Sequence, residues 1–189
     1  MKYLLILLWL GVLRLYFPLN RRAHCSYLRY KIDDYIPLIP IFVVPYIFFF
    51  VWTFLPAIIM WNNPLVIPFL SSQVIATFTG TFIWWKLPTG VKRPDRLEEL
   101  SVYHRMLNKI YTHDSDVNAC PSGHVFTSLI SSYYLAIFLP YLTIPIYLIG
   151  ILISLSTLFT KQHYFVDLIG GTIWAILSVM LGQYLVNLL

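Results

Sequence analysis

Apolar residues run in six blocks along the chain, at 3–18, 36–60, 64–85, 125–139, 142–160 and 164–189, separated by polar connectors. A helix that crosses a bilayer needs about 20 residues, which the second, third, fifth and sixth blocks supply. The fourth reaches that length only with Pro140 and Tyr141. The first is short and carries Arg14, yet its Leu, Ile, Val and Phe residues, at about −0.3 to −0.6 kcal/mol each, outweigh one arginine at about +3 kcal/mol. Arg14 lies near the block's end, where its head group can snorkel. A cleaved leader is the alternative for this block, but no small-residue cleavage pattern follows Phe17. The pattern therefore predicts an all-α polytopic membrane bundle of about six transmembrane helices, a single domain over 1–189.

Local signals refine the order. Asp33 and Asp34 are capping candidates for the second block, whose Pro37, Pro40 and Pro45 bend or break its first turns and suggest that it lines a cavity. Asn62, Asn63 and Pro64 leave room only for a tight reversal. The longest polar stretch is 86–124. In it Asp95 and Glu98 form a capping box, and Leu97, Leu100, Tyr103, Leu107 and Ile110 recur at helical spacing. This predicts an interfacial amphipathic helix over 95–111, lying beside the site as a lid. If the third to sixth blocks all span, Lys86, Arg93, His124, His163 and Asp167 come to one membrane face.

Composition agrees: 59% of residues are hydrophobic, 17% aromatic and 11% charged, with mean hydropathy +0.73, which excludes a soluble domain. The net charge of +5 sits in short connectors rather than on a folded basic face. It points away from nucleic acid and toward membrane lipid head groups or a phosphorylated lipid substrate as partners. The two cysteines, Cys25 and Cys120, are too few for a framework and are read as free thiols. None of the five histidines has a partner at metal-ligand spacing, so no metal and no cofactor is expected.

The candidate chemistry lies in three pieces, each weak alone. His163 and Asp167 are four residues apart, so on a helix they share one face as an imidazole with an orienting acid, although an interfacial ion pair has the same spacing. Pro121, Ser122, Gly123 and His124 open the fourth block, where a serine cap, a glycine and exposed amides suit an anion, though they also simply start a helix. Lys86 and Arg93 offer a cationic clamp for phosphoryl oxygens, or merely anchor the interface.

Together, Lys86 with six residues before Arg93-Pro94, then Pro121-Ser122-Gly123-His124, then Ser156 with His163 and Asp167, resemble the three signature motifs of the type 2 phosphatidic acid phosphatase superfamily. The match covers a catalytic core over 86–171. It implies a metal-independent integral membrane phosphatase acting on a lipid phosphate or isoprenyl diphosphate. His163 would be the nucleophile that becomes a phosphohistidine, Asp167 its orienting acid and His124 the acid and base. Lys86, Arg93, Ser122, Gly123 and Lys161 would bind the phosphate. The third motif departs from the family's Ser-Arg, because Thr157 follows Ser156; Lys161, four residues on along a helical end, is expected to replace the missing cation. The run from His163 to Gly171 also resembles inositol phosphorylceramide synthases, so a lipid phosphotransferase is an alternative. A non-enzymatic transporter or scaffold is another, since buried charges and proline-broken helices occur there too. Most connector cations lie on the side of the site, which points it toward the cytoplasm, whereas the resemblance implies the extracytoplasmic side.

Overall fold

The computed structural model describes residues 1–21 and 26–188, so Arg22, His24 and Cys25 fall outside the described residues. The architecture is all-helical. In order come α1 (Lys2–Arg14), a turn at Leu15, α2 (Tyr16–Leu19), α3 (Val43–Ile59), α4 (Val66–Lys86), α5 (Val102–His113), α6 (Gly123–Phe138), α7 (Thr143–Phe159) and α8 (Phe165–Asn187).

Among the described residues five stretches are long and apolar enough to cross a membrane: Lys2–Leu19, Pro40–Ile59, Val66–Lys86, Pro140–Phe159 and Phe165–Asn187. The expected sixth does not reach that length. Its helix, α6, has 16 residues, about 24 Å at 1.5 Å per residue. It stops before Pro140, which disfavours helical backbone at the preceding residue. The helix is central, packed against α3, α4, α7 and α8.

Neighbouring prolines shape α3. Pro40 opens a 3-10 turn, Pro40–Phe42, and Pro45 lies in the first turn of the α-helix, where its missing N–H leaves no bond unmade. Asp33 does not cap this helix as expected. It sits in a separate 3-10 turn, Lys31–Asp34, and its side chain is used elsewhere, as described below.

The interior is held by aromatic packing and by short interhelical hydrogen bonds. Trp9, Phe69, Phe126 and Tyr134 are fully buried in one cluster. The Trp9 indole donates to Thr77 Oγ1 at 3.2 Å, Gln73 Nε2 to the Thr127 carbonyl at 3.2 Å, and the Trp52 indole to Ser132 Oγ at 3.1 Å. Close packing and such polar ties associate helices where the surroundings are as apolar as the side chains. Outward, Leu7, Ile58, Ile144 and Met180 are each more than 60% exposed. That is the inverse of a water-soluble surface.

Glycine is required where α8 meets α6. A Cβ at Gly171 would come 2.7 Å from Val125 Cβ and 2.9 Å from the Ser122 carbonyl oxygen. We expect Gly171→Ala to cost about 1–3 kcal/mol by overpacking, read as a lower thermal midpoint in detergent; an unchanged midpoint would show that the two helices part freely here.

The amphipathic helix is shorter than expected. It begins at Val102 behind Ser101, whose hydroxyl accepts the His104 amide, and Asp95 and Glu98 form no capping box. The reason is a competing tie: the Asn108 side chain binds both the amide and the carbonyl of Leu97, at 2.8 and 2.9 Å, folding 95–100 back onto α5. Its apolar face, with Leu107 and Tyr111 buried, packs on Val43 at the start of α3. The connectors also form two short strands not anticipated from the sequence, β1 (Ser26–Tyr27) and β2 (Thr89–Gly90), which pair in parallel.

Candidate active site

The turn before α6 is built to bring His124 inward. Ser122 caps the helix, its Oγ accepting the Val125 amide at 3.4 Å, while its own amide donates to the Asp167 carbonyl at 3.2 Å. The Trp84 indole donates to the Pro121 carbonyl at 3.1 Å. A Cβ on Gly123 would come 3.2 Å from the Trp84 ring, a tight contact that glycine avoids where this turn approaches α4. The His124 ring is then clasped by two rings of α3, Tyr46 at 4.5 Å and Phe49 at 4.2 Å between centroids.

His163 arrives from the other direction. α7 ends at Phe159, and Lys161 adopts a left-handed conformation at φ 54°, reversing the chain. The Thr157 carbonyl then accepts both the Gln162 amide at 2.9 Å and the His163 amide at 3.1 Å. Asp167, fully buried in the first turn of α8, accepts the Tyr164 amide at 2.8 Å and faces His163 Nδ1 at 3.3 Å through the same oxygen. A carboxylate accepts only, which assigns a proton to Nδ1, and in the neutral ring Nε2 then carries the lone pair. Asp33 supports this turn from the connector, accepting the Phe165 amide at 2.8 Å through one oxygen and the Tyr30 amide at 2.8 Å through the other.

The two imidazoles meet, with ring centroids 5.9 Å apart. His163 borders two cavities. One, about 280 Å³, is lined by Arg29, Lys92, Arg93 and Lys161 together with Asp33. The other, about 680 Å³, is lined mainly by apolar side chains of α1, α3 and α4, and His124, Gly123 and Gln162 border it too. An anion in contact with His163 thus has cations on one side and a greasy chamber on the other.

The expected phosphate ligands divide unevenly. Arg93 reaches the cationic cavity, and its guanidinium also donates to Gln162 Oε1 at 2.7 Å, to the Tyr111 carbonyl at 3.3 Å and to the Asp114 carbonyl. Lys161 lines the same cavity, donating to the Ile36 carbonyl, and burial lowers the pKa of its ammonium against the opposing pull of Asp33. The helical path expected for it is absent, because the left-handed turn begins there; Lys161 reaches the cavity from the reversal and not by leaning back along α7. Thr157 is fully buried, its hydroxyl donating to the Ser154 carbonyl at 2.8 Å. Gly123 borders the larger cavity, whereas Ser122 is buried with its hydroxyl engaged as a cap. Lys86 also stands apart from the group. It ends α4 with Nζ 4.0 Å from the centre of the Trp85 ring and lines neither cavity.

Residues outside the expected set also converge. Asn118 is buried in a left-handed conformation, φ 61°, and neither atom of its amide has a partner among the described residues. Such backbone in a non-glycine residue is uncommon, and it collects at functional sites. Gln162 is likewise buried, with an unpartnered Nε2. Neither position stands out by periodicity, and only the neighbourhood of the two histidine motifs could have pointed to them. Burial, reinforced by Asp167, pushes the Cys120 thiol up to about 11, so it stays protonated in neutral water and does not compete as a nucleophile. Among the described residues no three His, Cys, Asp or Glu side chains gather as a metal-ligand set.

Comparison with known proteins gives one match: the family model described as the PAP2 superfamily aligns with residues 65–188. No curated protein matches. No solved structure matches.

Proposed function

This chain belongs to the PAP2 superfamily, and from that premise we propose that it is a membrane phosphatase that removes phosphate from a lipid phosphate or isoprenyl diphosphate through a phosphohistidine at His163. Membership carries phosphatase chemistry on phosphorylated substrates, and five apolar helices make the chain an integral membrane protein. We count the central α6 as a sixth crossing, since protein neighbours and not lipid cover its sides.

The observation that carries the reading is the meeting of His124 and His163, 5.9 Å apart, where a cationic cavity joins an apolar one. In the first step the His163 Nε2 lone pair attacks phosphorus and the bond from phosphorus to the lipid oxygen breaks. His124 gives its proton to that oxygen, releasing the alcohol. A bound phosphoryl dianion favours the protonated form of His124 beforehand. In the second step His124 takes a proton from water, whose oxygen attacks phosphorus, and the bond to His163 breaks with release of inorganic phosphate. Asp167 holds the ring throughout and stabilises its positive charge while the phosphoryl group is attached. Arg93 and Lys161 favour the crowded negative charge, the kind of preorganised stabilisation that contributes most in phosphoryl transfer.

A second reading, transfer to an alcohol in place of water, rests on the resemblance of the run from His163 to Gly171 to inositol phosphorylceramide synthases; the unpartnered amide of Asn118 offers a donor and an acceptor that suit water and a hydroxyl alike. One assay separates the two. With radiolabelled lipid phosphate the detergent-purified protein is expected to release inorganic phosphate. Label appearing only in a new phosphodiester when an alcohol is added would replace hydrolysis by transfer, and an inert protein would overturn both.

A further inference from the structure

The unpartnered amide of Gln162 is the strongest feature that the mechanism above does not use. Gln162 is 8% exposed and borders the larger cavity beside His124 and His163. Which way its amide points is not a free choice. The Arg93 guanidinium can only donate, and it lies 2.7 Å from Oε1, so the carbonyl end must face Arg93 and the NH₂ end must face away from it. The backbone is pinned as well, because the Thr157 carbonyl holds the Gln162 and His163 amides together. The result is a rigid donor next to the nucleophile, with no acceptor for it among the described residues. A buried donor left unpaired is costly, and sites of this kind call for a partner.

We propose that Gln162 is a phosphoryl-binding residue, whose Nε2 donates to a non-bridging oxygen of the group on its way to and from His163. This rests on the function proposed above and extends it. A donor polarised by a cation binds an oxyanion more strongly than it binds a neutral hydroxyl oxygen. The guanidinium at the other end of the amide polarises it, and hydrogen bonds in such a chain strengthen one another. Arg93, held by two backbone carbonyls and by Gln162, thereby acts on the phosphate partly through the Gln162 amide. Thr157 carries no charge, and Lys161 lines only the cationic cavity, so among the residues bordering the larger chamber Gln162 is the one whose free donor is fixed in direction by a cation.

The test separates this role from simple anchoring of Arg93. Gln162→Glu keeps an acceptor for the guanidinium, and a stronger one, but replaces the donor by an oxygen that repels phosphate. Gln162→Leu removes both. With a short-chain lipid phosphate, and orthovanadate as a mimic of the pentacoordinate phosphoryl group, Gln162→Glu is expected to lower kcat/KM about 100-fold or more, through kcat more than KM. Vanadate inhibition should weaken in parallel, while the thermal midpoint stays at or above that of Gln162→Leu. If Gln162→Glu retains activity within about threefold of the wild type, Gln162 only holds Arg93, and the proposal is overturned. If the wild-type protein hydrolyses no lipid phosphate, the fault lies with the function above, and vanadate binding by calorimetry decides: loss of binding in Gln162→Glu supports the anion site, and equal binding refutes it.

Discussion

His163→Ala is expected to lower kcat/KM by roughly 10⁴-fold or more, since removal of a covalent nucleophile leaves only what binding and electrostatics contribute. The protein should fold. Among the described residues the His163 side chain makes one polar contact, to Asp167 at 3.3 Å, whereas its amide stays on the Thr157 carbonyl and Asp167 keeps the Tyr164 amide. The loss is therefore expected in phosphate release with the melting curve close to wild type. Substantial remaining turnover by a well-folded His163→Ala protein would move the nucleophile elsewhere, and Asp167 would then be only a helix cap.

His124→Ala should show a loss that depends on the leaving group. His124 is clasped by Tyr46 and Phe49 and reaches the site through its ring alone, so alanine removes the proposed acid and base while the Ser122 cap and the Trp84 bond to Pro121 stay in place. An alkyl oxygen leaves poorly without a proton, and for a lipid phosphate we expect a loss of about 10²- to 10⁴-fold. Nitrophenolate leaves without help. With p-nitrophenyl phosphate the variant should give a burst of one nitrophenolate per protein and then stall, because the second step still needs a base to activate water. Equal slowing with both substrates and no burst would deny His124 the acid role. If the stall is real, added small imidazole should relieve it.

Segment parity is what makes the site legible from the chain. Two apolar blocks separate His124 from His163, and with α6 counted as a crossing their even number returns the chain to the same end, which agrees with the 5.9 Å separation of the two rings. Local signals serve as well where no distant group competes. Ser122 caps α6 as its type and position suggest, and α3 starts only at Val43, after Pro37 and the 3-10 turn that Pro40 opens. They fail where a long-range partner wins. Asp95 and Glu98 have the spacing of a capping box, but Asn108 claims the Leu97 backbone and the helix starts at Val102. Asp33 has the look of a cap for the following helix and instead takes the Phe165 amide, 132 residues away. Lys161 is four residues from Thr157 in number only, because φ 54° at that position turns the chain out of the helix. Gln162 is the converse: an unremarkable polar residue in sequence, given its direction by a guanidinium that lies 69 positions earlier.

Trapping the covalent intermediate puts the account to its most direct test. Acid-free rapid quench with ³²P-labelled substrate, followed by alkaline peptide mapping and ³¹P NMR of the phosphopeptide, locates the phosphoryl group on a single ring nitrogen. Because Asp167 faces Nδ1, phosphorus should be found on Nε2 of His163, and the label should be absent from His163→Ala. Phosphorus on Nδ1 or on His124, or turnover with no phosphohistidine at any time point, would contradict the account.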